Sequence, residues 1–164
     1  FCKIHHAETT IVPDGIRKGY PTEINFELLE GRIIQMKDEL LNIINKKIGS
    51  YYWNFSLEIC AEVGSRKAGT PMILMNRFEK LRPGYYGSKG LNIIVDVLSE
   101  LFLFKNILTY DLTHPKNPVD FLQEVLVPET ALRLILQDKS NITLEEARKI
   151  MEDGGDFGDY VHGE

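Results

Sequence analysis

The chain has 164 residues, of which 43% are hydrophobic, and it carries a formal net charge of −5 at pH 7. This size and composition suit one packed domain, while the two cysteines and the short apolar runs exclude a disulfide scaffold and a membrane span of ~20 residues. The acidic balance argues against a dedicated duplex-DNA binder, because such proteins are normally basic as a whole.

Residues 1–20 read as an extended N-terminal arm, with a turn signal at Pro13-Asp14-Gly15. Cys2 and His5 have the spacing of one half of a zinc site, in which two residues separate the ligands. Three downstream residues could supply the missing ligands: Cys60, His114 and His162. None of them forms a second close pair. We therefore favour an ordinary polar arm, with the end of an upstream zinc-binding segment as the alternative.

The first predicted helix covers residues 25–48, along which apolar residues recur at spacings of three and four. Asn25 is a candidate N-cap, and Gly49 is a candidate stop signal. Gly31 is unfavourable in a helix interior by about 1 kcal/mol relative to Ala. We therefore expect either an interruption at Gly31 or another element that passes close to it.

A second helix is predicted over residues 51–63, and it begins with three aromatic residues, Tyr51-Tyr52-Trp53. Such side chains usually dominate core packing, and the polar ends of Tyr and Trp need hydrogen-bond partners. A binding platform or a dimer contact is the alternative. Cys60 is predicted to be a buried structural cysteine, because no nearby sequence signal supplies the base that a nucleophile needs.

The middle of the chain is basic, aromatic and glycine-rich. Residues 65–89 contain six Lys or Arg and one acid, so their net charge is +5. Residues 72–75 are apolar and predict a short strand or a helical turn. Residues 76–90 form a central loop whose three glycines and one proline keep it out of regular structure.

We interpret the central loop as a candidate binding surface. With Ser88 as the N-cap, Lys89 and the following amides lie at a predicted helix N-terminus, where free N–H groups and the helix dipole favour an anion. Basic side chains add charge there, and tyrosines add a stacking surface. The candidate binding residues are Arg66, Lys67, Arg77, Arg82, Tyr85, Tyr86 and Lys89. In the structural alternative, the arginines pair with acids of the domain while the tyrosines pack on the core.

The remainder of the chain also reads as mainly helical. A largely apolar helix, buried on most sides, is expected over residues 91–104. Residues 125–128 read as a short extended piece, and Pro128 fits the first turn of the helix that follows. Thr143 and Glu146 form a capping box that opens the last helix. Residues 154–164 are expected to be an acidic, glycine-rich tail.

No catalytic motif fits the sequence. The glycines of the central loop fail the order and spacing of a Walker A phosphate loop. Asp156-Phe157-Gly158 matches a kinase triplet, but the other kinase motifs are lacking. The carboxylates of the tail do not have calcium-loop spacing. We therefore expect no enzymatic activity and no cofactor.

Several motifs spread over the chain match those of a known family. They are Phe1-Cys2-x-x-His5-x-x-Glu8, Gly19-Tyr20-Pro21 before Ile24-Asn25-Phe26, Gly84-Tyr85-Tyr86-Gly87-x-x-Gly90, Val125-Leu126-Val127-Pro128-Glu129 with Leu134-Ile135, and Glu146-Ala147-Arg148 leading to Tyr160-Val161. On these motifs the chain resembles the C-terminal domain of the fungal restriction of telomere capping protein 4 family. The resemblance implies a nuclear or chromatin-linked protein whose domain has no assigned catalysis and often follows other domains.

The sequence as a whole predicts a mostly α-helical fold, with a single compact helical domain over residues 21–153 and at most a short β element. We expect a non-enzymatic interaction module of a larger nuclear, telomere-linked protein. Its basic central loop would engage an acidic or phosphorylated protein partner. A nucleic-acid-binding module and a homodimerisation domain are the alternatives, and no membrane partner is expected.

Overall fold

Helices form the regular structure of the chain. The computed structural model describes residues 2–66 and 79–163, with side chains for residues 2–61 and 79–163. Within these residues every regular element is a helix or a helical turn, and no strand occurs. The predicted mostly α-helical class is therefore confirmed. The short β element considered for residues 72–75 lies outside the described residues.

The elements are short and medium-length helices joined by helical turns. The helices are α1 (Cys2–His6), α2 (Val12–Arg17), α3 (Leu29–Gln35), α4 (Lys37–Ile44), α5 (Tyr51–Arg66), α6 (Gly87–Leu98), α7 (Tyr110–Thr113), α8 (Pro118–Phe121), α9 (Val127–Asp138), α10 (Leu144–Asp153) and α11 (Gly155–Val161). The π-helical turns are Ala7–Ile11, Ser99–Leu103 and Leu122–Leu126, and the 3-10 turns are Phe26–Leu28 and Gly84–Tyr86. None of the described helices combines the length and apolar character that a membrane crossing needs.

Helix α9 lies at the centre of the core. It packs against α3, α6 and α10, and even its polar residues Glu129 and Thr130 are buried. The buried hydrophobic residues from both halves of the chain form one continuous cluster. One shared core of this kind is the physical basis of the predicted single compact domain.

The segment predicted as one helix over residues 25–48 is interrupted. The side chain of Asn25 accepts the N–H of Glu27, as predicted for a cap, at the turn that leads into α3. The interruption falls at Met36, where the backbone leaves helical values with φ −87° and ψ 0°. Both expectations for Gly31 are wrong, because α3 continues through it and a Cβ added there would meet nothing within 4 Å.

Both ends of the described chain are helical, which corrects the predicted extended arm and shows that the acidic, glycine-rich tail is folded. Helices α1 and α2 occupy the arm, and α11 occupies the tail. Helix α2 contacts α11 so closely that a Cβ at Gly15 would lie 2.3 Å from Cδ2 of Phe157. Phe157 is 1% exposed, and full burial of such a side chain stabilises a fold by about 1.5–3 kcal/mol. The tail is therefore part of the core.

The segment 125–128 is helical, which corrects the predicted extended piece. The turn Leu122–Leu126 runs directly into α9, and Pro128 lies in the first turn of that helix as predicted. The whole segment is buried. A short run that is buried on all sides has no helical periodicity, so it reads like a strand.

The capping box of Thr143 and Glu146 is confirmed at the start of α10.

Candidate functional site

Arg82, a candidate binding residue of the central loop, anchors α11. Its Nη1 atom lies 2.8 Å from Oδ1 of Asp156 and 3.2 Å from Oδ2 of Asp159. The guanidinium crosses the backbone at Gly155, where an added Cβ would lie 2.5 Å from Cζ of Arg82. This contact is the structural alternative considered for Arg82, in which it pairs with acids of the domain.

Tyr85 and Tyr86 have no exposed surface. Their hydroxyls both donate to Oδ2 of Asp138, at 2.6 Å and 2.5 Å. Arg32 donates to Oδ1 of Asp138 at 2.9 Å and to the Tyr86 hydroxyl at 3.2 Å. We call Arg32, Tyr85, Tyr86 and Asp138 the Asp138 cluster. Their burial means that the tyrosine rings do not offer a stacking surface.

The Asp138 cluster has the chemistry of a structural network. Burial, followed by hydrogen bonding to Asp138, raises the pKa of both Tyr85 and Tyr86, so these hydroxyls stay protonated as donors. Both carboxylate oxygens of Asp138 already accept hydrogen bonds, and Arg32 balances the negative charge. The four side chains therefore satisfy one another's hydrogen bonds within the fold.

The N-terminus of α6 is covered by the end of α11. The backbone N–H of Lys89 donates to the carbonyl oxygen of His162 at 3.0 Å. Gly87 has a φ of +68°, and a Cβ there would lie 2.2 Å from the carbonyl oxygen of Gly158. The carbonyl of His162 thus takes the place predicted for an external anion at the Lys89 amide. Ser88 lies inside α6, which begins at Gly87 without a side-chain cap.

The other candidate basic residues are described by the structure to different extents. Lys89 is exposed, and its Nζ lies 4.9 Å from the ring centroid of Phe26. Arg66 is the last residue of α5, but its side chain is not described, and Lys67 and Arg77 lie outside the described residues. A binding role for these basic residues stays a prediction.

Cys2 and His5 are exposed and belong to α1. Among the described residues, no group of three or more His, Cys, Asp or Glu could hold a metal ion. The three downstream ligand candidates contact other groups: Cys60 meets Lys116, His114 meets Tyr110, and His162 meets the carbonyl of Pro21. Cys60 is half-buried, with its sulfur 3.3 Å from Nζ of Lys116.

A basic and aromatic cluster lies at the start of α5. The rings of Tyr51 and Phe55 are nearly parallel, at 6°, with centroids 6.2 Å apart. Nζ of Lys80 lies 4.9 Å from the Phe55 centroid and donates to the Tyr51 hydroxyl at 3.2 Å. Cζ of Arg148, on α10, lies 4.0 Å from the Tyr51 centroid. We call Tyr51, Phe55, Lys80 and Arg148 the Tyr51 cluster.

The two cations of the Tyr51 cluster have no carboxylate partner among the residues that the structure describes. By contrast, other described arginines contact carboxylates: Arg17, Arg32, Arg82 and Arg133. A guanidinium stacked on a ring keeps its in-plane N–H donors for a further partner. All four side chains of the cluster are half-buried. The arrangement can therefore present fixed donors to a carboxylate or a phosphate group.

Sequence analysis found only part of the Tyr51 cluster. It singled out the stretch Tyr51-Tyr52-Trp53, but Tyr52 is fully buried and Trp53 packs edge-on against Phe121, so only Tyr51 contributes to this surface. Arg148 was missed as a binding residue, because nothing in the local sequence relates α10 to α5. Its place in the family motif Glu146-Ala147-Arg148 was the available signal.

Comparison with known proteins supports the resemblance that the motifs indicated. A family model described as the RTC4-like domain matches residues 45–163, which is more than two thirds of the chain. No curated protein and no solved structure matches the chain. The matched range includes the Tyr51 cluster and most of the Asp138 cluster.

Proposed function

We propose that this chain, which belongs to the RTC4-like domain family, is a non-enzymatic interaction module of a nuclear, telomere-linked protein. The Tyr51 cluster engages an acidic or phosphorylated segment of a partner protein. The observation that carries the proposal is that Lys80 and Arg148 are held on aromatic rings and lack a carboxylate partner among the described residues.

The geometry of the cluster favours an anionic partner. Hydrogen bonds from a cation to a carboxylate or phosphate are about twice as strong as neutral ones. The rings of Tyr51 and Phe55 already hold the two cations, so binding orders fewer side chains and loses less entropy. A binding role for Arg66, Lys67 and Arg77 stays a prediction that is separate from this cluster.

The use of polar groups elsewhere supports a module that binds rather than catalyses. Three polar side chains of the central loop hold the fold together: Tyr85 and Tyr86 in the Asp138 cluster, and Arg82 on α11. The net charge of −5 supports a protein partner over duplex nucleic acid, whose phosphates the acidic surface would repel. The family resemblance supports a nuclear location.

The proposal is tested by removing the two cations. A fluorescent peptide of glutamate and phosphoserine serves as the probe, and the variant is Lys80→Gln with Arg148→Gln. Because half-exposed ion pairs contribute about 0.2–1 kcal/mol each, we expect the dissociation constant to rise roughly tenfold. The matched control, Lys105→Gln with Lys149→Gln, removes the same charge from exposed positions and should change the constant by less than about twofold.

Two results would contradict this assignment. An equal loss of affinity in both double variants would show that only net charge matters. Binding to duplex or single-stranded DNA that needs Lys80 and Arg148 and falls steeply with salt would favour the nucleic-acid alternative.

A further inference from the structure

An apolar groove lies between α3 and α6, with a volume of about 360 Å³. Its floor combines Ile34 of α3 with Ile93 and Val97 of α6 and with Leu101 of the following π-helical turn. Ile34 is 45% exposed. An open apolar strip with polar edges is the kind of surface that marks an interaction site.

The edges of this groove are acidic. Four carboxylates line it, and no basic residue does: Glu27, Glu30, Asp96 and Glu100. Among the described residues, none of these four side chains forms an ion pair or a hydrogen bond. Asp96 and Glu100 are four residues apart on adjoining helical turns, and like charges at that spacing repel. Lys89 is not among the lining residues, but its Nζ lies 4.9 Å from the ring centroid of Phe26, which is.

The carboxylates of the groove differ from several other described acids. Asp138 and Asp156, for example, are paired with arginines of the same chain. The groove instead has unpaired carboxylates from both helices, with Glu30 on α3 and Asp96 on α6. The carboxylates on both sides of the apolar strip therefore lack a positively charged partner among the described residues.

We propose that the groove between α3 and α6 binds a basic amphipathic segment of a partner protein. Apolar side chains at helical spacing of three or four enter the groove, as in helix-in-groove recognition. Lys or Arg side chains on both flanks of that segment pair with Glu27 and Glu30 on one wall and with Asp96 and Glu100 on the other. This surface is separate from the cationic Tyr51 cluster and takes a partner of the opposite charge.

Charge and apolar contact are tested separately. The probe is a helical peptide of leucine and lysine with one apolar stripe, compared with a scrambled peptide of the same composition. Glu30→Gln with Glu100→Gln removes one carboxylate from each wall and should weaken binding roughly tenfold, whereas Glu58→Gln with Asp111→Asn removes the same charge elsewhere and should change it by less than about twofold. Ile34→Ser should also weaken binding, because it removes apolar contact without changing charge.

Three outcomes would overturn the proposal. The scrambled peptide could bind as tightly as the amphipathic one, or both double variants could lose affinity equally, and either result would reduce the effect to net charge. A rise in solution mass with concentration that disappears in Glu30→Gln with Glu100→Gln would assign the groove to a second copy of the chain. These tests do not involve Lys80 or Arg148, so their outcome does not depend on whether the proposed function is correct.

Discussion

Tyr85 and Tyr86 show that polar residues of a family motif can have a structural role. The Asp138 carboxylate is partly buried and accepts hydrogen bonds from Tyr85, Tyr86 and Arg32. An unpaired buried polar group costs about 1–3 kcal/mol, and hydrogen bonds to a charged group contribute about 1.5–3 kcal/mol. The two tyrosines of the central loop therefore act as donors that hold α9 against the loop.

Replacing Tyr85 with Phe measures that contribution. The hydroxyl is lost without a change in ring packing, so we expect the free energy of unfolding to fall by about 2 kcal/mol. Tyr110→Phe is the control, because its hydroxyl contacts His114 on the exposed surface and its loss should change stability by less than about 0.5 kcal/mol. Denaturant unfolding measures both values, and equal stabilities of the two variants would contradict the structural role.

The sequence shows which residues the central loop contains, but it does not show which residues they contact. Arg82 and Asp156 are far apart in the sequence, so only the folded chain shows that they pair. Local patterns do predict contacts made within one turn, such as the capping box of Thr143 and Glu146. Arg148 and Tyr51 meet between helices, and single-sequence reasoning has no signal for such a contact.

At the scale of elements, the contact of α11 with the start of α6 joins the end of the chain to its middle. The carbonyl-bearing end of α11 meets the N–H-bearing end of α6, so the two helix dipoles attract. Glycines make the approach feasible, because Cβ atoms at Gly87 and Gly158 would each lie 2.2 Å from a backbone oxygen. We therefore expect these positions to tolerate no side chain.

Two glycines inside helices should respond in opposite ways to replacement by alanine. Gly158→Ala places a methyl group 2.2 Å from the carbonyl oxygen of Gly84, and overpacking of this kind costs about 1–3 kcal/mol or more. Gly31→Ala meets nothing within 4 Å and gains helix propensity, so it should stabilise by about 0.5–1 kcal/mol. Thermal unfolding distinguishes the signs, and a stabilised Gly158→Ala would contradict the close contact.

The glycines near the end of the chain explain one failure of the prediction of elements from sequence. Helix α5 and the first turn of α9 follow from periodicity and from Pro128, and the structure confirms both. The last eleven residues contain several glycines, which usually indicate a loose segment. In α11 they permit close packing instead, and only the positions of other helices reveal that difference.

At the scale of the whole molecule, the described charges are distributed unevenly. Several arginines are paired with acids of the same chain, while unpaired carboxylates line the groove between α3 and α6. The Tyr51 cluster is a cationic surface on a chain with a net charge of −5. This distribution supports our proposal of two protein segments of opposite charge as partners, rather than a nucleic-acid backbone.

A chemical-shift map of the isotope-labelled domain, recorded while the phosphorylated acidic peptide is added, would locate the partner surface on the whole molecule. We predict progressive shifts at Tyr51, Phe55, Lys80 and Arg148, with little change at the groove between α3 and α6. Shifts confined to Lys89 and the start of α6 would contradict the proposed interaction surface. The absence of shifts at a large excess of peptide would also contradict it.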